Sequence, residues 1–203
     1  MAVARARGGD TRRQLIRAAV AVIAEDGWAA ATSRVVAGRA GVNNALVHYH
    51  FGSIDALRRA AVWHAIEAEL AGPMAAMIDA DDLLEGIVDA VAGLAGEGAG
   101  SPGSRVLAEA LVQSMRDSEI RDCLARALHT LRELLTSRFT QELEAGRVRR
   151  DADPATLAVV VAALIDGLVL HVFADPALDV RSPTAALARL LRPPGTGADE
   201  TEG

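Results

Sequence analysis

Residues 32–57 read TSRVVAGRAGVNNALVHYHFGSIDAL, from Thr32 to Leu57. Two short helical patterns flank a tight turn at Gly41, and the second ends in His48, Tyr49, His50 and Phe51. This is the layout of a helix-turn-helix, whose second helix fits a DNA major groove. The spacing predicts a first helix over 33–40. Thr32 stands at its N-cap, where the hydroxyl accepts from an otherwise unpaired backbone N–H. Val36, Ala37 and Ala40 fall on one face at i, i+1 and i+4 and are small enough for a close helix crossing. Gly41 takes the C′ position, which favours a left-handed residue. Asn43 can cap the second helix, which carries Val47 inward with Leu46 beside it and exposes Asn44, Ala45 and His48.

On these residues the chain resembles the tetracycline-repressor (TetR) family of transcriptional regulators. That family's pattern is a capped Thr, a small apolar pair, Ala-Gly-Val, a variable triplet, Leu-Tyr-x-His-Phe, then Lys and Leu. It maps onto Thr32, Val36-Ala37, Ala40-Gly41-Val42, Asn43-Asn44-Ala45, Val47-His48-Tyr49-His50-Phe51, Ile54 and Leu57. The preceding helical stretch 11–26 with Gly27 extends the match, which covers roughly a quarter of the chain. Two positions depart from the pattern. His48 replaces the phosphate-binding Tyr and can still donate to a phosphate, whereas Ile54 replaces a Lys and cannot.

The resemblance implies an all-α protein with an N-terminal three-helix helix-turn-helix head over 10–54. The head is joined to a C-terminal helical-bundle body over 55–192 that binds ligand and dimerises. It implies a regulator, most simply a repressor, that binds a palindromic double-stranded operator as a homodimer and is released by a small-molecule effector. Half-sites would lie one helical turn or a multiple of it apart. Residues 43–50 would enter the major groove, led by Asn43. Arg34, Asn44 and Ala45 would be nearest base edges, while Arg12, Thr32, His48, Tyr49 and His50 would touch phosphates. Asn44 has the groups to read adenine in bidentate fashion, and Arg34 to read guanine.

Composition points the same way. With 203 residues the chain is long enough for a substantial core, and at 51% apolar it is not disordered as a whole. Ala, Leu, Arg and Glu dominate, which favours helices. All 21 basic residues are Arg, which GC-rich codon usage explains more simply than selection for phosphate forks. The single Cys123 cannot form an internal disulfide and fits a reducing cytoplasm, the expected location. The formal net charge of −6 divides unevenly. Residues 1–60 hold nine Arg against four acids, a balance of +5, and the remainder holds twelve against twenty-three. A basic head on an acidic body is expected when only the head meets phosphate.

Residues 1–9 read as a flexible basic arm, and Asp10 as the cap of a first helix with the stripe Leu15, Ala19, Val22 and Ile23. Arg12, Arg13 and Arg17 near its start oppose the helix dipole, a cost that a phosphate partner would offset. Trp28 is expected to plug the three-helix core. Ser53 caps a fourth helix over 55–71, which Gly72-Pro73 should close. Further helices are expected over 82–95, 104–116, 119–145, 154–174 and 183–191. Asp153-Pro154 and Ser182-Pro183 have the form of an N-cap followed by an N1 proline. Residues 96–103 (GEGAGSPG) read as a loop, and 193–203 as a disordered acidic tail.

The 119–145 stretch aligns Ile120, Leu124, Leu128, Leu131, Leu135 and Phe139 on one face. Residues 154–174 leave almost no polar side, so that helix must be covered all round, by its own core and by a second subunit. Leu157, Val161, Leu164, Gly167 and Leu168 are the expected dimer contacts. Its apolar run 157–173 is interrupted by Asp166 and shorter than the ~20 residues a membrane span needs, so no membrane partner is expected. A small apolar effector is the default occupant of such a bundle, with Trp63, Met77, Met115, His129, Phe139 and His171 as candidate lining residues. No nucleophile motif, P-loop, dinucleotide fingerprint or third ligand beside His48-x-His50 is present, so no enzyme, cofactor or metal is expected. Two alternatives stay open: a helical interaction module that has lost DNA binding, and a helical-bundle enzyme or carrier.

Overall fold

The computed structural model describes residues 2–98 and 100–194. Among them the chain forms nine α-helices and no strand: α1 Ala2–Asp26, α2 Ser33–Arg39, α3 Ala45–Phe51, α4 Ile54–Asp79, α5 Leu83–Gly93, α6 Pro102–Ser114, α7 Ser118–Glu144, α8 Pro154–Ala174 and α9 Arg181–Leu191. A 3-10 turn covers Trp28–Ala30 and a π-helical turn Leu94–Gly98. The all-helical expectation holds. Of the tail expected over 193–203, residues 195–203 lie outside the described part. The chain forms two compact units, one of residues 1–70 and 100–127, the other of 71–99 and 128–203.

The core of the first unit is built on the α1 stripe. Leu15, Ala19, Val22 and Ile23 are buried with Val36 and Ala37 of α2, Val47 of α3, and Leu57 and Ala61 of α4. Burying each of the larger aliphatic side chains contributes about 1.5–3 kcal/mol. Val106 and Ala110 of α6 and Ile120 of α7 join the same core, so the helix-turn-helix does not bury its apolar face alone. Trp28 does not plug this core: it is half-buried at its edge, with the Arg58 guanidinium 5.5 Å from the ring centroid.

Helix α1 starts at Ala2, not at Asp10. The Ala and Arg residues ahead of Gly8-Gly9 are strong helix formers, and each glycine costs only about 1 kcal/mol. Asp10 therefore sits inside the helix and pairs with Arg13 instead of capping. Ser53 does cap α4, its Oγ accepting from the Ala56 N–H at 3.1 Å. Gly72-Pro73 fails to end that helix, which continues to Asp79 with Pro73 inside. A proline removes one backbone hydrogen bond and strains the turn before it. The residues that follow, Met74, Ala75, Ala76 and Met77, restore the propensity, and Met77 is buried in the core of the second unit.

Helix α6 begins at Pro102, inside the expected loop. Ser101 Oγ accepts from Ser104 N–H at 2.9 Å, and the Ser101 and Ser104 hydroxyls donate to the two oxygens of Glu69 at 2.7 and 3.0 Å. A side chain at Gly103 would run into Glu69.

The second unit buries Leu83, Leu84 and Ile87 of α5, Leu131, Leu135 and Phe139 of α7, and Val161 and Ile165 of α8. The expected apolar face of α7 is real, although Leu128 is exposed. Asp82 caps α5, accepting from the N–H groups of Leu84 and Glu85 at 2.9 and 3.3 Å. Arg192 donates to Asp82 and Glu85 at 2.8 and 3.0 Å, which ties the end of α9 to the start of α5. The fit is close: a Cβ at Gly86 would stand 2.8 Å from the Ala80 Cβ. Glu142 is fully buried, and the Arg147 guanidinium forks onto both its oxygens at 2.6 and 2.9 Å.

Asp153 caps α8 by accepting from Thr156 N–H at 2.8 Å, with Pro154 in the first turn, as expected. For α9 the expected cap is wrong. Asp179 accepts from the N–H groups of Arg181 and Ser182 at 2.9 and 3.2 Å, so the helix starts at Arg181 and takes Ser182 and Pro183 into its first turn.

At 21 residues, α8 is long and apolar enough to cross a bilayer by length and composition, which corrects the expectation that its run is too short. Ala158, Val161, Ala162, Ile165 and Val172 are buried, while Val159, Val160, Leu170 and Phe173 are exposed along the opposite side. Asp166 lies among the latter. Part of the residue is exposed, yet the surrounding protein desolvates its carboxyl and raises its pKa.

Candidate nucleic-acid interface

Local hydrogen bonds shape the helix-turn-helix. Thr32 Oγ1 accepts from Val35 N–H at 3.3 Å, which caps α2. Gly41 has φ 67°, the left-handed value that lets the chain reverse without a Cβ clash, and Val42 N–H donates to Ala37 O at 3.0 Å across the turn. Asn43 Oδ1 accepts from Ala45 N–H at 2.8 Å, so this side chain caps α3 as the sequence predicts. Arg39 pairs with Glu25, fastening α2 to α1. Arg58 donates to Ala31 O at 3.1 Å and to Asp55 at 2.9 Å, fastening α4 to the turn that precedes α2.

With Val36, Ala37 and Val47 buried, the opposite surface is set by helical geometry. Thr32, Arg34, Asn43, Asn44, Ala45, His48 and Tyr49 are all exposed, and His50 is half-buried. Tyr49 is 81% exposed, an unusual position for an aromatic ring without a partner to cover it. Its ring meets His50 edge-on, with centroids 5.0 Å apart. The exposed Arg12 of α1 holds its guanidinium 5.1 Å from the Phe51 ring centroid, so it joins the end of α3 although 39 positions separate the two in sequence.

His48 Nδ1 lies 3.3 Å from the carbonyl oxygen of Gly52. A carbonyl oxygen only accepts, so Nδ1 donates there and the Nε2 of a neutral ring is left as an acceptor. A neutral His48 therefore lacks the donor that a Tyr hydroxyl offers a phosphate. Ile54, where the family pattern has Lys, packs against the apolar core.

The other predicted residues are dispersed. Trp63 is exposed on α4, and its indole N–H donates to Glu67 at 2.7 Å. Met115 is 71% exposed at the end of α6. In the second unit, Met77 and Phe139 are core residues, while His129 pairs with Glu133 at 3.2 Å and His171 is exposed. Of the α8 residues, Val161 is buried in its own unit, Leu157 and Leu168 are half-buried against that core, and Leu164 and Gly167 are half-buried. The exposed residues Val159, Val160, Leu170 and Phe173 were not singled out in the sequence, where a helix apolar all round gives no hint of which side turns inward. Among the described residues, no three His, Cys, Asp or Glu side chains are grouped so as to hold a metal ion.

Comparison with known proteins agrees with this geometry. Residues 15–61 match bacterial regulatory proteins of the tetR family, and residues 80–192 match the C-terminal part of BetI-type transcriptional repressors. The second match alone spans more than half of the chain. The chain belongs to the TetR family and is a transcriptional regulator, not an enzyme. No curated protein matches it.

Solved structures share the fold. A TetR-family regulator from Rhodococcus sp. superposes with TM-score 0.79 at 22% identity, over 90% of this chain and 98% of its own. The multidrug binding protein EbrR, complexed with imidazole, gives 0.70 at 26% identity, over 91% and 97%. A regulator from Saccharomonospora viridis, in complex with choline, gives 0.74 at 22%, over 89% and 94%.

Proposed function

We propose that this protein is a ligand-responsive repressor that binds a palindromic DNA operator as a homodimer in the cytoplasm. The observation that carries the reading is the surface of α3. Its inward side is fully committed to the core, while Asn43, Asn44, Ala45, His48 and Tyr49 stand in solvent within the basic part of an otherwise acidic chain. Arg34, Asn44 and Ala45 face base edges, and Arg12, Thr32, His48, Tyr49 and His50 contact phosphates. The repressor role follows the BetI-type match. A response to a small molecule is supported by the imidazole and choline complexes of the related structures, and an apolar one by the apolar body of this chain. A second copy covers the exposed Val159, Val160, Leu170 and Phe173 side of α8.

The test is a gel-shift of the full chain on the DNA beside its own gene across a salt series. Retardation that weakens steeply as salt rises supports phosphate-driven binding. Failure to retard any duplex at low salt would favour the interaction module that has lost DNA binding.

A further inference from the structure

Arg12, Arg13 and Arg17 of α1, Arg59 of α4 and Arg126 of α7 line one cavity of about 490 Å³ in the first unit. Only two carboxylates, Glu67 and Glu119, share its walls. Both are engaged: Glu119 pairs with Arg59 at 2.6 Å, and Glu67 accepts from the Trp63 indole at 2.7 Å. Arg17 has no hydrogen-bond or ion-pair partner among the described residues. The lining thus carries three more guanidinium groups than carboxylates, in a chain whose formal net charge is −6. One of these guanidinium groups, that of Arg13, pairs with Asp10 beside the cavity. Like charges converging on one concave site repel one another, and an anion between them offsets that repulsion.

The walls are not wholly charged. Ile16, Ala60 and the Trp63 side chain supply an apolar surface beside the arginines. Guanidinium forks match carboxylate and phosphate oxygens in pairs, and a flat indole suits a flat apolar group. The volume falls within the roughly 300–1,000 Å³ of sites that hold small molecules.

We propose that this cavity binds a small organic anion, with its acidic groups on the arginines and its apolar part against Trp63. Arg12 also belongs to the set assigned above to DNA phosphates. Occupancy of the cavity therefore competes with DNA for this residue, a consequence that rests on the DNA-binding reading.

The experiment is calorimetric titration of the full chain with phthalate, which places two carboxylates on one flat ring. Neutral phthalamide and inorganic phosphate are the controls. Phthalate should bind saturably, once per chain, and more tightly than either control. Arg17→Gln and Arg126→Gln should each weaken it about tenfold or more, the effect of losing one charge-assisted contact. Trp63→Leu should weaken phthalate and leave inorganic phosphate unchanged. Binding that never saturates, or that survives both arginine substitutions, would overturn the site. Equal affinity for phosphate and phthalate would overturn its assignment to an organic anion.

A parallel gel-shift reads the coupling. Arg126→Gln should bind DNA as the parent does without phthalate, and saturating phthalate should weaken DNA binding only in the parent. Unchanged parental affinity for DNA would overturn the competition. A parent that binds no DNA at all would count against the DNA-binding reading, and not against the cavity, which calorimetry reads without DNA.

Discussion

Tyr49 near the end of α3 and Arg12 of α1 beside it are exposed and assigned to phosphates, which are the same in every sequence. Tyr49→Ala or Arg12→Ala should weaken binding to all sequences about equally, as seen by fluorescence anisotropy on operator and scrambled duplexes. Arg34→Ala and Asn44→Ala should instead relax preference at single base positions by about 1–3 kcal/mol. The His48 hydrogen bond to Gly52 O leaves a neutral ring without a donor for phosphate. His48→Tyr places a hydroxyl donor there, so it should strengthen binding to operator and scrambled duplexes alike. If parent and variant bind both duplexes equally, His48 makes no phosphate contact. The capping residues legible in advance act over two or three positions. Thr32, Asn43, Ser53 and Asp153 cap their helices through bonds to backbone close by, and such bonds leave a local signature. Arg17, Arg59 and Arg126 leave none, because three helices bring them to one cavity from distant stretches of chain.

At the scale of elements, the sequence placed α8 to the residue and misplaced several of its neighbours. The signal that located α8, a capping side chain followed by proline, also stands at Ser101-Pro102. Surrounding glycines made that stretch read as loop, whereas the Glu69 carboxylate, brought in from α4, fastens it as a helix start. Pro73 misled in the opposite sense: the helix runs on past it and buries Met77 one turn later, a long-range contact with no local pattern. The pairing of α5 with Arg192 is equally non-local and can be tested by pH. Burial alone would raise the Asp82 pKa, but the Arg192 guanidinium and the N–H groups of Glu85 and Leu84 hold it below the ordinary 3.8. A lowered folded pKa means stability that is present above the unfolded value and lost as pH falls through the folded one. Arg192→Gln should therefore lower the melting temperature at pH 7, and the gap to the parent should narrow below about pH 3.8. A gap that is constant with pH would show that Arg192 acts through packing alone. Asp82→Ala also removes the cap and should cost about 1 kcal/mol near neutrality in a denaturant titration.

For the whole molecule, the exposed side of α8 and the exposed surface of α3 make one functional statement, because a two-fold dimer turns two identical heads into a reader of palindromes. A Cβ at Gly167 would meet nothing within 4 Å, so Gly167→Leu meets no clash within the chain at its first side-chain atom. Any loss of the dimer in that variant then reports on the interface itself. Sedimentation should show the parent as a dimer at micromolar concentration and Gly167→Leu as a monomer or aggregate with unchanged helical content. A monomeric parent would remove the basis for the exposed Val159, Val160, Leu170 and Phe173 surface as a self-interface. The family and the helical architecture were legible from 26 residues because the helix-turn-helix is a local motif. For α8 the sequence showed only a need for cover, since periodicity does not say what covers an apolar helix. The most direct measurement is selection of bound sequences from random duplex DNA by the purified full-length protein. The predicted result is enrichment of one palindrome whose half-sites lie a helical turn or a multiple of it apart, lost on Asn44→Ala at a single base position in each half. Enrichment of nothing, or of a site without two-fold symmetry, would contradict the account.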